Sequence, residues 1–68
     1  MFKFQEGQTL VLKEDMPLLG LKAGEPCVVW ALYATDPPAY EITIRLPNGK
    51  ELGLMLDEDE LQLPPQSS

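Results

Sequence analysis

The chain of 68 residues has no histidine and only one cysteine, Cys27. A disulfide within the chain is therefore impossible, and so is a Cys/His metal site. The only serines are Ser67 and Ser68, at the C-terminal end. A Ser-His or Cys-His nucleophile system cannot be assembled from these residues. Positive charge is also scarce, with 5 Lys+Arg against 11 Asp+Glu and a net charge of −6. The five cations, Lys3, Lys13, Lys22, Arg45 and Lys50, are scattered along the chain and form no basic run. A surface of that sign repels phosphate backbones, so nucleic acid is not an expected partner. No apolar run approaches the roughly 20 residues needed to cross a bilayer. Met1 to Glu6 lacks the long apolar stretch of a secretory leader. The expectation is a soluble, cytoplasmic protein with no membrane contact.

What is present is β punctuation. Seven prolines and five glycines divide the chain into short pieces. The size allows one domain, expected over residues 1–63, with 64–68 as a disordered tail. Thr9 to Leu12 reads as a first strand. Lys13 to Pro26 is too broken by Pro and Gly for a helix and reads as a long folded-back loop, anchored by Leu18, Leu19 and Leu21. Cys27 to Tyr33 is a continuous apolar run, rich enough in β-branched and aromatic residues to be a strand. Strict alternation runs from Tyr40 to Leu46, where Tyr40, Ile42, Ile44 and Leu46 share one face. Asn48-Gly49 predicts a type I′ hairpin turn, and Glu51 to Leu56 predicts the return strand. Asp57 to Glu60 reads as an acidic turn with one turn of 3₁₀ helix, followed by a short strand over Leu61 to Leu63. Five short strands arranged in this way describe an all-β fold, a small five-stranded SH3-like barrel.

The residues that carry a family likeness are Leu10-Val11-Leu12, Glu14-Asp15-Met16-Pro17, Gly20-Leu21-Lys22-Ala23-Gly24, Val28-Val29 and Tyr40-Glu41-Ile42, together with Pro47-Asn48-Gly49 and Leu61. Spread over residues 7–63, this pattern resembles small bacterial SH3-like proteins of unknown function. That group is similar in shape to the photosystem I accessory barrel and to the SH3-like part of the nitrile hydratase β subunit. The resemblance implies the barrel and carries over no catalytic residue. The chain departs from the pattern at Cys27, where such proteins often have Gly, and at Trp30, which is larger than usual. Ala31-Leu32-Tyr33-Ala34 looks like the ALYDY motif of eukaryotic SH3 domains. Here, however, it follows the tryptophan and lies mid-chain, so a groove for proline-rich ligands is not implied.

Chemistry finds little support. Cys27 opens an apolar strand and reads as a buried small hydrophobe. The Asp57–Glu60 run lacks the glycine and spacing of an EF-hand and reads as a solvated turn. Neither a catalytic group, a metal site nor a cofactor is expected. The strand over Cys27–Tyr33 is more informative. Strict alternation puts Val28, Trp30 and Leu32 on one face and Cys27, Val29, Ala31 and Tyr33 on the other. Both faces are apolar, whereas a small barrel has one inside. Either the Lys13–Pro26 loop covers the outside, or one face is left for a partner. Trp30, Tyr33, Tyr40, Val29 and Met55 are the candidate interaction surface, since Trp and Tyr anchor binding sites. The function expected is a non-catalytic protein-interaction module that self-associates or serves as an accessory subunit. The alternative is a nucleic-acid-binding SH3-like or KOW-type barrel, or a regulator of one.

Overall fold

A computed structural model describes residues 2–65. The expected tail over 64–68 falls, for its last three residues, outside the described ones. Five strands form one antiparallel sheet: β1 (Thr9–Leu12), β2 (Pro26–Tyr33), β3 (Ala39–Arg45), β4 (Glu51–Asp57) and β5 (Leu61–Gln62). Their order across the sheet is β4-β3-β2-β1-β5, and the sheet curls into a half-barrel. The expected all-β, five-stranded architecture is thus present. No helix among the described residues is long and apolar enough to cross a membrane.

Inward residues follow the period-two rule. Leu10 and Leu12 of β1, Cys27 and Val29 of β2, Tyr40, Ile42 and Ile44 of β3, Leu56 of β4 and Leu61 of β5 form one buried cluster. Each strand contributes alternate side chains to the concave face. No polar or charged residue other than Tyr40 enters that cluster, and no buried side-chain polar atom lacks a partner among the described residues.

Several local expectations change. The long loop does not lie over the outside of β2. It turns back on β1, where Leu12 N–H donates to Glu25 O (3.0 Å) and Gly24 N–H donates to Leu12 O (2.8 Å). A 3₁₀ turn over Pro17–Leu19 projects from it, closed by paired bonds between Met16 and Leu21. Of the three expected anchors, Leu21 is buried and Leu19 half-buried, but Leu18 is 100% exposed. Leu18 sits at the apex of the 3₁₀ turn, where its side chain points away from the core. The β3–β4 hairpin is not type I′. Gly49 has a positive φ of 88°, and among the described residues no non-glycine residue does, so Asn48 cannot occupy a type I′ position. Pro47 is the reason: its ring fixes φ near −65°, which suits the second residue of a type I turn. The turn closes with Gly49 N–H on Leu46 O (2.9 Å) and Leu46 N–H on Lys50 O (2.7 Å). Such a three-residue loop ends on a left-handed glycine. The last strand stops at Gln62, and Leu63 is exposed.

Residues 2–8 pack on the sheet as well. Gly7 N–H donates to Val29 O, and Val29 N–H donates to Gln8 O. Phe4 is buried, and Phe2 and Phe4 lie against the Tyr40 ring with centroids 6.0 and 5.5 Å away. The Tyr40 hydroxyl accepts the backbone N–H of Lys3 (3.1 Å) and Phe4 (3.3 Å), and donates to Glu58 Oε2. Glu58 begins the 3₁₀ turn Glu58–Glu60 between β4 and β5. One buried phenol therefore ties the N-terminal segment, β3 and the β4–β5 connection together.

Candidate interaction surface

The register places a second set of residues on the convex face of β2, β3 and β4. Thr43 pairs with Val28 on one side and Gly53 on the other; Glu41 pairs with Ala31 and Met55; Ala39 pairs with Tyr33 and Asp57; Arg45 pairs with Glu51. Apart from Ala39, which is itself buried, these residues alternate with the buried ones of the same strands.

Between Val29 and Ala31 the β2–β3 register shifts, so Trp30 is an extra residue without a direct partner. A bulge of this kind sets two residues of one strand against one of the other. Here Trp30 and Ala31 oppose Glu41. Strict alternation across β2 is thereby broken, and the expected division of its faces needs correction. After the bulge Leu32, opposite Tyr40, packs against the core, while Tyr33 turns outward. Val28, Trp30, Ala31 and Tyr33 now share the convex face.

The exposures agree: Trp30 is 66% exposed, Met55 55%, Val28 43% and Tyr33 39%. Three of the five candidate surface residues, Trp30, Tyr33 and Met55, therefore share one exposed face. Val29 and Tyr40 do not join them, because both are buried in the core. Their parity explains this. Val29 is the inward partner of Ile42, and Tyr40 lies in phase with Ile42 and Ile44. Sequence reasoning missed two further members, Glu41 and Arg45. Glu41 Oε1 accepts the Tyr33 hydroxyl (2.9 Å), and this bond with the adjacent carboxylate charge raises the Tyr33 phenol above its ordinary value. Every strand neighbour of Glu41, across or along β3, is uncharged or acidic.

Two shallow concavities flank the face. One, of about 420 Å³, is lined by Glu6, Gly7, Val28, Val29 and Trp30. The other, of about 350 Å³, is lined by Glu25, Pro26, Arg45, Leu46 and Pro47 at the opposite end of β2 and β3.

Reactive groups are elsewhere or quiet. Cys27 is buried, its Sγ 3.6 Å from Leu10 O, and burial pushes its pKa up to about 11. A thiol so raised is a poor nucleophile near neutral pH. Among the described residues no group of three or more His, Cys, Asp or Glu is placed to hold a metal ion. No protein family matches the chain, and no curated protein or solved structure is similar enough to match it.

Proposed function

We propose that this chain is a non-catalytic protein-interaction module, self-associating or an accessory subunit, that works through the convex face of β2–β4. The observation that carries this reading is the grouping of Val28, Trp30, Tyr33 and Met55 as exposed apolar residues on one face. Large apolar residues exposed together on one face, here with Glu41 and Thr43 of β3 between them, are a feature of protein-binding surfaces. Trp and Tyr supply rigid contact area at such surfaces, and Met adapts to the partner's shape. The five cations are spread over four segments, with Lys13 and Lys22 both on the long loop, and the net charge of −6 opposes a phosphate backbone, which weighs against the nucleic-acid-binding alternative. Membership of the small SH3-like group and residence in the cytoplasm belong to the same proposal. The unpaired Cys27 thiol agrees with a reducing compartment.

Photo-cross-linking in the producing cell tests the reading. A benzophenone amino acid at position 55 is expected to form covalent adducts with protein. The same group in place of Ala23, on the long loop, is expected to form none. Absence of adducts from position 55 refutes the proposal.

A further inference from the structure

The two edges of the sheet are finished differently. At one edge β5 is two residues long and is soon followed by Pro64-Pro65, which have no N–H to offer a further strand. At the other edge β4 runs for seven residues and pairs only with β3, in continuous register, without proline, lysine or a bulge. Bonds beyond both ends of β4 fix which of its backbone groups face outward. Leu46 N–H donates to Lys50 O and Glu58 N–H donates to Pro38 O, so Leu52, Leu54 and Leu56, in phase with these pairs, bond to β3. Glu51, Gly53, Met55 and Asp57 therefore direct their N–H and C=O groups to the free edge. Glu60 Oε1 takes the Asp57 N–H at 2.9 Å. Among the described residues, the outward groups of Glu51, Gly53 and Met55 have no partner within the chain. Beside them on the concave face Leu52 and Leu54 are only half-buried, whereas their β3 partners Ile44 and Ile42 are fully buried. Gly53, at the middle of this edge, has no positive φ, and an added Cβ would meet nothing closer than 3.9 Å. Nothing within the chain requires a glycine there, and a bare backbone suits the close approach of another.

We infer that the β4 edge receives an extended segment of a different protein as a further strand, one with apolar side chains on the concave side and basic side chains on the convex side. A row of unpaired amides at strand spacing is satisfied by another extended backbone. The inward side chains of that segment cover Leu52 and Leu54. Charge decides the other side. At the hairpin end Glu51 is balanced by Arg45, its β3 partner, and by Lys50. Further along, Glu41 Oε1 takes the Tyr33 hydroxyl, while Oε2 lies 3.9 Å from the Cβ position at Gly53. That carboxylate therefore reaches the edge over the glycine. Asp57, Glu58, Asp59 and Glu60 follow. Lys3, whose N–H donates to Glu58, and Lys13, whose N–H donates to Glu60 O, offset part of this charge, and the acids outnumber them. Basic residues opposite Gly53 and Asp57 meet these carboxylates, and opposite charges across a strand pair are stabilising. A second copy is the poorer occupant. Two β4 strands paired antiparallel over their full length set Glu51 against Asp57 twice, between chains of net charge −6. The edge lies beside the convex face, and the inference stands or falls apart from the proposal made for that face.

Amide hydrogen exchange of the whole ¹⁵N-labelled chain, read by NMR, tests the edge. The probe is a capped peptide of seven residues, the length of β4, that alternates lysine with valine. Binding with a Kd of about 1 mM or tighter is expected. In the free chain Leu52, Leu54 and Leu56 are expected to be protected and Glu51, Gly53 and Met55 to exchange fast; the peptide is expected to slow the second set. Lysines on the convex side turn their backbone N–H groups to β4. Methylating the peptide on its lysine backbone nitrogens is therefore expected to abolish binding, and methylating the valine nitrogens to preserve it. Glutamate in place of lysine is expected to weaken binding by about tenfold or more, and Glu41→Gln to weaken it less. Gly53→Pro removes an outward N–H and spares the bonds to β3, and is expected to cost about tenfold. Far-UV circular dichroism verifies that each variant is folded, and the methylated peptides make the same test on the unaltered chain. The inference is overturned by a peptide that does not bind, by protection that appears elsewhere than Glu51, Gly53 and Met55, or by lysine-methylated or glutamate peptides that bind as well as the parent. A chain that ignores the peptide yet forms adducts from position 55 loses this inference and keeps the proposed function. One that binds the peptide at the edge and forms no adducts loses the convex-face proposal alone.

Discussion

Replacing Tyr40 by phenylalanine removes one oxygen from the core and leaves the ring. Packing against Phe2 and Phe4 is preserved, so the change isolates the hydroxyl. That oxygen accepts two backbone N–H groups and donates to Glu58. The two N–H groups are not equivalent. Lys3 N–H also donates to Glu58 Oε2 at 3.0 Å and keeps that partner. Phe4 N–H is in a buried contact and has no other acceptor among its hydrogen bonds. An orphaned buried donor costs about 1–3 kcal/mol. With about 2 kcal/mol lost, a domain of this size melts roughly 8–16 °C lower. Thermal unfolding followed by circular dichroism at pH 7 reads this directly. The pH dependence adds a second check. The Glu58 carboxyl is held below its usual value, first by the Tyr40 hydroxyl and then by Lys3 N–H. A lowered folded-state value stabilises above the unfolded value near 4.3 and loses that effect as pH falls through the folded value. The gap between wild type and Tyr40→Phe is therefore widest near neutrality and narrows in acid. A variant that melts within about 2 °C of wild type at pH 7 would refute the assignment of Tyr40 as the clasp between the N-terminal segment and the β4–β5 connection.

Three further outcomes follow from the same geometry. Cys27, raised to about 11 by burial, is expected to resist a thiol reagent at pH 8 and to react at once in denaturant; its contribution to stability is complete below the unfolded value near 8.5 and is lost as pH rises through about 11. Leu21→Ala is expected to cost about 2–5 kcal/mol in denaturant unfolding, because the side chain is buried, whereas Leu18→Ser three positions earlier is expected to leave the midpoint unchanged. Gly49→Ala is expected to destabilise by about 1 kcal/mol through its positive φ, although no atom obstructs the added methyl.

The parts of the fold visible in the sequence were those written in local chemistry. The alternation Tyr40–Leu46, the apolar run at Cys27–Tyr33 and the glycine at 49 each carry their own structural instruction. The observed strands lie within a residue or so of the expected ones. The hairpin type was misjudged because Asn-Gly was weighed without the preceding Pro47, which fixes the torsion that decides the turn. Tyr40 could have been placed correctly, since it shares parity with Ile42 and Ile44; its proximity in sequence to Tyr33 and the Pro37-Pro38 turn suggested a surface role instead. The partner of its hydroxyl was not legible, because Lys3, Phe4 and Glu58 converge on it only through tertiary contact.

The bulge at Trp30 had no sequence signature, and it decides the surface. A strand of eight residues with apolar side chains at nearly every position must waste half of them if it alternates strictly. Without the extra residue Leu32 would point outward and Tyr33 inward, leaving a bulky aromatic to fit beside Tyr40 in a core already filled by Phe4. The bulge instead gives the core a second aliphatic residue next to Val29 and sends both large aromatics out, on either side of Ala31 and Glu41. The same irregularity therefore completes the interior and assembles the exposed patch. For a chain of this size the apolar burial within one copy barely exceeds the ordering entropy. Aromatic area left in water on Trp30 and Tyr33 adds nothing to that balance. Covering it in an assembled state recovers hydrophobic free energy that the isolated fold leaves unused. A protein partner bound over this face is thus expected to raise the melting temperature of the chain, a coupling that strictly alternating strands would not have produced.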